Sequence, residues 1–530
     1  MTMRWIVTLL VSLVLLPTSA WAAGGRPYAL APPGFSASVA SAQNAQGKQR
    51  QFKSQEESDA FKAVQSEKDP RQKISRAQAF LQQYPESEMR DVAYFQMMLG
   101  YHELKDRANS IDAGHKVIQL NPEFTYAFYN LGYEYLSPDP LDFDQGVWDL
   151  ARAVALARAT QDQATADMEK TLTGVYADYH GSAEGLPGLV AQAASSPNPP
   201  AGFRVAPPKL FGSKGVTAES VRQGGLGSCY FHSTVAAVAR WNPQAIQQII
   251  TENNDGTYTV LFPDGKKVNV YPEDLRYGRL SRFDFSDGQW VGVLLRAYAQ
   301  RQVRETLMAG IESSSMFALV KPYAESYIES TDPLLLAYDR AIRDVVNQTG
   351  DIDKARMAAR LRDEMKDIPI PDTFKDSLIS TLQSSGVFDA LSEVVKQNGE
   401  FFGAYRAVGN GGIPALVMHN LFGAKAAALE TKSREDVAAF LSQAVPSKLP
   451  IVAATGGAEI QALEADKKVP PGSDQWYVEK HAYTVIGYDP QAQTVTLRNP
   501  WGHHPEPDGT FTLPLAAFTD SFEVIQTIAN

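Results

Sequence analysis

The stretch SSPNPPAGFRVAPPKL, residues 195–210, limits what this chain can become more than any other feature. Its prolines lack the N–H that a helix or central strand needs, and they hold their neighbours extended. The 530-residue chain is therefore expected to fold as separate bodies on either side. Before the linker, residues 54–194 carry apolar side chains at helical spacing. After it, helical stretches give way to alternating apolar and polar runs, with strands at 449–452, 483–486 and 494–497. The expectation is a multidomain protein: an all-α repeat-like domain over 54–194, a Pro-rich linker, and an α+β domain over 211–530. Helical, charged residues 305–404 form an insertion within the second domain.

A 34-residue self-similarity appears in the first part, where Tyr94, Met97 and Tyr101 recur as Phe128, Leu131 and Tyr135. Leu131-Gly132 is followed by Gly146, Leu150, Ala153 and Leu156 on the next helix, and Pro122 closes the first unit. The pattern resembles the tetratricopeptide repeat. Such units need about three neighbours to bury their faces, so flanking helices at 54–84 and 160–180 are expected to act as degenerate repeats or caps. The array is either a groove for a protein partner or a packed helical spacer. No binding residue is assigned to it.

The chain opens with MTMR, an apolar run over residues 5–16, and Ala20-Trp21-Ala22, a small-x-small cleavage pattern. Residues 1–22 thus read as a signal peptide and 23–53 as a flexible lead-in. The run is shorter than the ~18 residues a bilayer span needs, so an exported protein, periplasmic or secreted and without a membrane anchor, is expected. The net charge of −11 argues against a nucleic-acid or anionic-membrane surface and for protein or peptide partners.

The chain has one cysteine, Cys229. In an oxidising compartment an unpaired thiol invites damage, which favours a functional role for it. VRQGGLGSCYFHSTVAAVA delivers it through a glycine-rich turn to the start of a small-residue helix. Partial positive charge and free N–H groups there favour a thiolate. Gln223 stands six residues earlier, a spacing that lets its amide fold back beside the thiol. Far downstream, KHAYTVIGYD puts His481 at the head of an apolar strand, and LRNPWG puts Asn499 at the end of the next. Antiparallel pairing would bring them together, with His481 taking the thiol proton, Asn499 fixing its tautomer and Trp501 shielding their hydrogen bond. His102, His115, His180, His232, His419, His503 and His504 are read as structural or surface residues.

QGGLGSCYF, HAYTVIGYD and LRNPWG together resemble the signature of the calpain family of papain-like cysteine proteases, here of a bacterial exported type. DGQWVGVLLRAYAQ, with Trp290 and Tyr298, and GGIPALVMHNLFG are similar to further blocks of that family, so the resemblance covers about 207–530. It implies a papain-like catalytic domain cutting polypeptides by acyl transfer. Cys229 would be the nucleophile, His481 the general acid/base and Asn499 the orienter, with Gln223 and the Cys229 N–H as oxyanion hole. Ser228 stands where the family usually has an acidic residue, and Tyr230 where it has tryptophan.

No D-x-[DN]-x-[DN]-G loop and no zinc spacing occur, so no metal and no cofactor are expected, with calcium dependence open. Asp139, Asp142 and Asp144 read as a solvated loop, and Glu506 and Asp508 follow NPWG in a place related to the acidic loops of calcium-activated members of that family, in imperfect register. Two alternatives stand beside the peptidase: an inactive protease-like scaffold that binds partners through its repeats, and another papain-like acyl transfer.

Overall fold

The structure is a computed structural model and describes residues 50–137, 141–312, 341, 345, 353–366, 372–384, 405–409, 411–456, 467–468, 477–478, 480–503 and 506–528. The expected signal peptide, most of the lead-in, much of the 305–404 stretch, Asp139 and His504 lie outside these residues. The described residues fall into two compact units that divide between Pro207 and Pro208.

The first unit is helical: α1 (Gln55–Ser66), α2 (Pro70–Gln83), α3 (Arg90–Glu103), α4 (Arg107–Leu120), α5 (Thr125–Leu136), α6 (Phe143–Thr160), α7 (Thr165–His180) and α8 (Leu186–Ser195). Ser54, Asp69, Asp106 and Asp142 start four of these helices, each side chain accepting an otherwise orphaned backbone N–H. Each helix up to α7 packs on its predecessor, and α8 folds back on α6. The small residues decide how closely α5 and α6 approach. A Cβ on Gly132 would press on Leu150 and the Gly146 carbonyl, and one on Gly146 would press on Leu136. Asp142 and Asp144 serve the fold here, the first as a cap and the second by accepting the Val205 N–H.

The second unit pairs a helical half with a sheet. Helix α9 (Cys229–Trp241) is buried on all sides from Cys229 to Ala239, as its continuous apolar and small-residue composition requires. After α10 (Pro243–Ile249) comes an antiparallel meander, β1 (Ile250–Glu252), β2 (Tyr258–Leu261) and β3 (Lys267–Val270). Its two turns carry Gly256 and Gly265 at positive φ. Each turn contains an Asp-Gly pair, and the two hairpins share β2 as their central strand. Helices α11 (Pro272–Leu280) and α12 (Trp290–Glu312) follow, then α13 (Lys354–Glu364), α14 (Asp372–Ser384), α15 (Arg406–Gly409) and α16 (Pro414–Phe422).

The chain ends in β4 (Ala426–Glu430), α17 (Arg434–Ala444), β5 (Ile451–Ala454), β6 (Lys467–Lys468), β7 (Tyr477–Val478), β8 (Ala482–Asp489), β9 (Thr494–Arg498), β10 (Thr510–Pro514), α18 (Leu515–Ser521) and β11 (Val524–Ile528). Six strands form an antiparallel sheet in the order β10-β9-β8-β5-β11-β4, and β6 pairs with β7. Both faces of its centre are covered. On β5, Val452 and Ala454 join the core around α9 and α12, while Ile451 and Ala453 join the core under α17 and α18. Strand β4 escapes a reading by sequence, since AAALE favours helix; it becomes an edge strand only by pairing with β11.

Candidate active site

The glycine-rich turn before Cys229 is held from outside by residues 282–286. Gly224 N donates to Phe283 O at 3.0 Å, Gly225 N to Arg282 O at 2.7 Å, and Phe285 N to Arg222 O at 2.8 Å. Glycine is required at 224 because a Cβ there would overlap the Arg282 carbonyl. From the far side Gly411 N donates to Gly227 O at 3.1 Å, and a Cβ on Gly412 would overlap the Tyr230 ring.

Three ties then join the turn and α9 to the sheet. Gln223 N donates to Pro500 O at 2.8 Å. Ser233 Oγ donates to Ala482 O at 2.8 Å, and Thr484 Oγ1 returns a bond to Ser233 O at 2.9 Å. These last two cross between the nucleophile's helix and the strand headed by His481. Thr455, directly after the neighbouring strand β5, clamps the histidine backbone, its Oγ1 accepting from His481 N at 3.0 Å and its N donating to His481 O at 2.9 Å.

His481 precedes β8 and Asn499 follows β9, and the antiparallel pairing of these strands sets the two side by side. His481 Nε2 lies 3.0 Å from Asn499 Oδ1, which also accepts the Trp501 N–H at 3.1 Å. An oxygen can only accept, so Nε2 carries the hydrogen and Nδ1 presents its lone pair. Nδ1 is buried and bonded to nothing. The Trp501 ring covers the imidazole with centroids 4.7 Å apart, and Tyr483 meets it edge-on at 4.8 Å. The Cys229 sulfur lies against the backbone N–H groups of Ala482, Tyr230 and Cys229 itself, beside the residue that follows His481.

The site is desolvated. Cys229 is 2% exposed, and His481 and Asn499 are fully buried. Burial pushes the thiol up to about 11, against the opposing pull of the three N–H groups. It pushes His481 down to about 4, against the Asn499 hydrogen bond. This corrects the thiolate expected from the helix N-terminus: in this arrangement loss of solvent outweighs the helix end, and the resting pair is neutral thiol and neutral imidazole. Gln223 is buried as well; its Nε2 donates to Leu226 O at 2.7 Å and its Oε1 has no partner.

The structure thus gathers Cys229, Gln223, His481, Asn499 and Trp501. Thr455, Ser233 and Thr484 had no sequence signal, because a hydroxyl that holds a distant backbone looks like any other hydroxyl. Among the described residues no group of three or more His, Cys, Asp or Glu could hold a metal ion, and no helix is long and apolar enough to cross a membrane. Asp508, one of the clustered acids, accepts the Thr510 N–H in a turn.

A family model described as calpain family cysteine protease matches residues 200–343. The match contains Gln223 and Cys229 and ends well before His481 and Asn499. No curated protein matches the chain.

Proposed function

We propose that this protein is a calpain-like cysteine endopeptidase acting on polypeptides. The observation that carries the reading is the oriented imidazole, with Nε2 committed to Asn499 and Nδ1 unbonded, on the residue just before Ala482, whose backbone N–H lies at the chain's one thiol. As sulfur attacks the scissile carbonyl carbon, the thiol proton passes to His481 Nδ1 and the carbonyl becomes an oxyanion. The Cys229 N–H and the second hydrogen of Gln223 Nε2 stabilise it, the first hydrogen being anchored on Leu226 O. Collapse breaks the C–N bond, His481 returns the proton to the leaving amine, and water hydrolyses the thioester by the same route. No cofactor enters these steps.

Because the resting pair is buried and neutral, substrate must reach it through an opening of the site, and the scaffold alternative draws its support from that same burial. Wild type and Cys229→Ala are compared on an unfolded protein substrate, with and without calcium. Cleavage by the wild type alone is expected. Equal cleavage by both would sink the peptidase, and partner capture that needs residues 54–194 but not Cys229 would favour the scaffold. The repeat-like helices are proposed to present a protein-binding surface, and the leader-like start to send the chain out of the cytoplasm.

A further inference from the structure

Three residues beyond Cys229, α9 carries a histidine that the chemistry above does not use. His232 is fully buried, and acceptors face both ring nitrogens. Nδ1 lies 3.0 Å from the Ser228 carbonyl oxygen and 3.1 Å from the Ser228 hydroxyl, which donates to Leu226 O at 3.3 Å. Nε2 faces Asp284 Oδ1 at 3.6 Å. A ring lone pair turned towards a carbonyl would be repelled, so Nδ1 donates its hydrogen to Ser228 O, while Nε2 has no hydrogen-bond partner. Asp284 keeps its charge although buried. Burial pushes its carboxyl up, but Arg279 at 3.4 Å, then His232 and the Ser286 hydroxyl, outweigh burial and bring it below the ordinary range. The buried row Arg279, Asp284, His232, Ser228 therefore ends on a single peptide group.

That group joins Ser228 to Cys229. It is planar and trans, so its C=O and N–H point in opposite directions, and holding one aims the other. Three donors hold the Ser228 oxygen: Phe231 N at 3.0 Å, His232 N at 3.0 Å and His232 Nδ1 at 3.0 Å. At the opposite end is the Cys229 N–H, which lies beside its own sulfur. A third donor on the carbonyl draws electron density through the amide and strengthens the N–H as a donor. Asp284 also sits in the middle of the 282–286 strip that holds the glycine turn bearing Gln223. Both proposed oxyanion donors thus share one support.

We propose that His232 is a positioning residue for oxyanion stabilisation: braced beside Asp284, its Nδ1 holds the Ser228 carbonyl and so aims and polarises the Cys229 N–H towards the carbonyl oxygen of a bound acyl group. The inference rests on the peptidase reading and adds to it a residue outside the Cys, His, Asn set. Two reactions at the same sulfur separate this role from packing. Alkylation by iodoacetamide forms no oxyanion, whereas peptide hydrolysis and capture of a peptide aldehyde as a hemithioacetal both do.

His232→Leu is expected to lower kcat by about 10- to 100-fold, less than the ~100- to 1,000-fold of deleting a donor outright. Aldehyde affinity should fall in parallel, with KM and the alkylation rate within about twofold of wild type. His232→Gln, which retains a neutral donor for Ser228 O, should recover part of the loss, and Asp284→Asn should reproduce the loss with little change in volume. If hydrolysis and alkylation fall together in all three variants, the row only packs the helix and the proposal is overturned; unchanged hydrolysis in His232→Leu overturns it equally. Wild-type protein that is alkylated at Cys229 yet neither hydrolyses peptides nor binds the aldehyde would remove the peptidase reading itself, and this inference with it.

Discussion

His481 offers a sharp test of the desolvated site, since burial holds its imidazole at about 4 rather than 6.5. The folded state then resists protonation more than the unfolded state does, so the stabilisation is fully present above pH 6.5 and is lost as pH falls towards 4. With those two values, the expected loss from this one group is about 2 kcal/mol by pH 5 and about 3 kcal/mol by pH 4. His481→Gln removes the titrating group and keeps an amide able to donate to Asn499 Oδ1. Unfolding of the full-length protein in urea is followed by far-ultraviolet circular dichroism at each pH. The full-length wild type should lose about 2 kcal/mol more than His481→Gln between pH 7.5 and pH 5. Parallel pH profiles for the two proteins would refute the argument, because they would mean that the imidazole is solvated or already charged in the folded protein.

Replacing Asn499 by alanine frees the His481 ring to turn and should lower kcat by about 100-fold, with a small effect on KM in steady-state peptide hydrolysis. Ser233→Ala and Thr484→Val each orphan one end of the ties between α9 and β8, and each should cost about 1–3 kcal/mol in the same urea titration.

The visible logic of the sequence was local. Prolines at 197, 199, 200, 207 and 208 prohibit regular structure whatever surrounds them, and helical or alternating spacing depends only on residues a few positions apart. That is why the helical character of the first part and the helix-then-sheet order of the second could be read directly. Two Asp-Gly turns specify reversal of the chain but not how many strands share an edge, so the three-stranded meander is decided by pairing. Strand β4 was missed because its alanines and glutamate favour helix, and pairing with β11 outweighs that preference. His232 looked like an ordinary structural histidine, since nothing near it in the chain announces Asp284 on its other side.

What the sequence by itself determined was the chemical vocabulary: one thiol after a glycine turn, a histidine heading one apolar strand and an asparagine ending the next. Only the tertiary structure decided how these groups behave. Water is excluded from Cys229 and His481 by residues hundreds of positions away, and that exclusion reverses the sign of the thiol shift expected at a helix N-terminus. The bonds that set α9 against β8 join Ser233 to Ala482 and Thr484. Desolvation and long-range hydrogen bonding depend on which groups meet in space, and no local periodicity encodes that meeting.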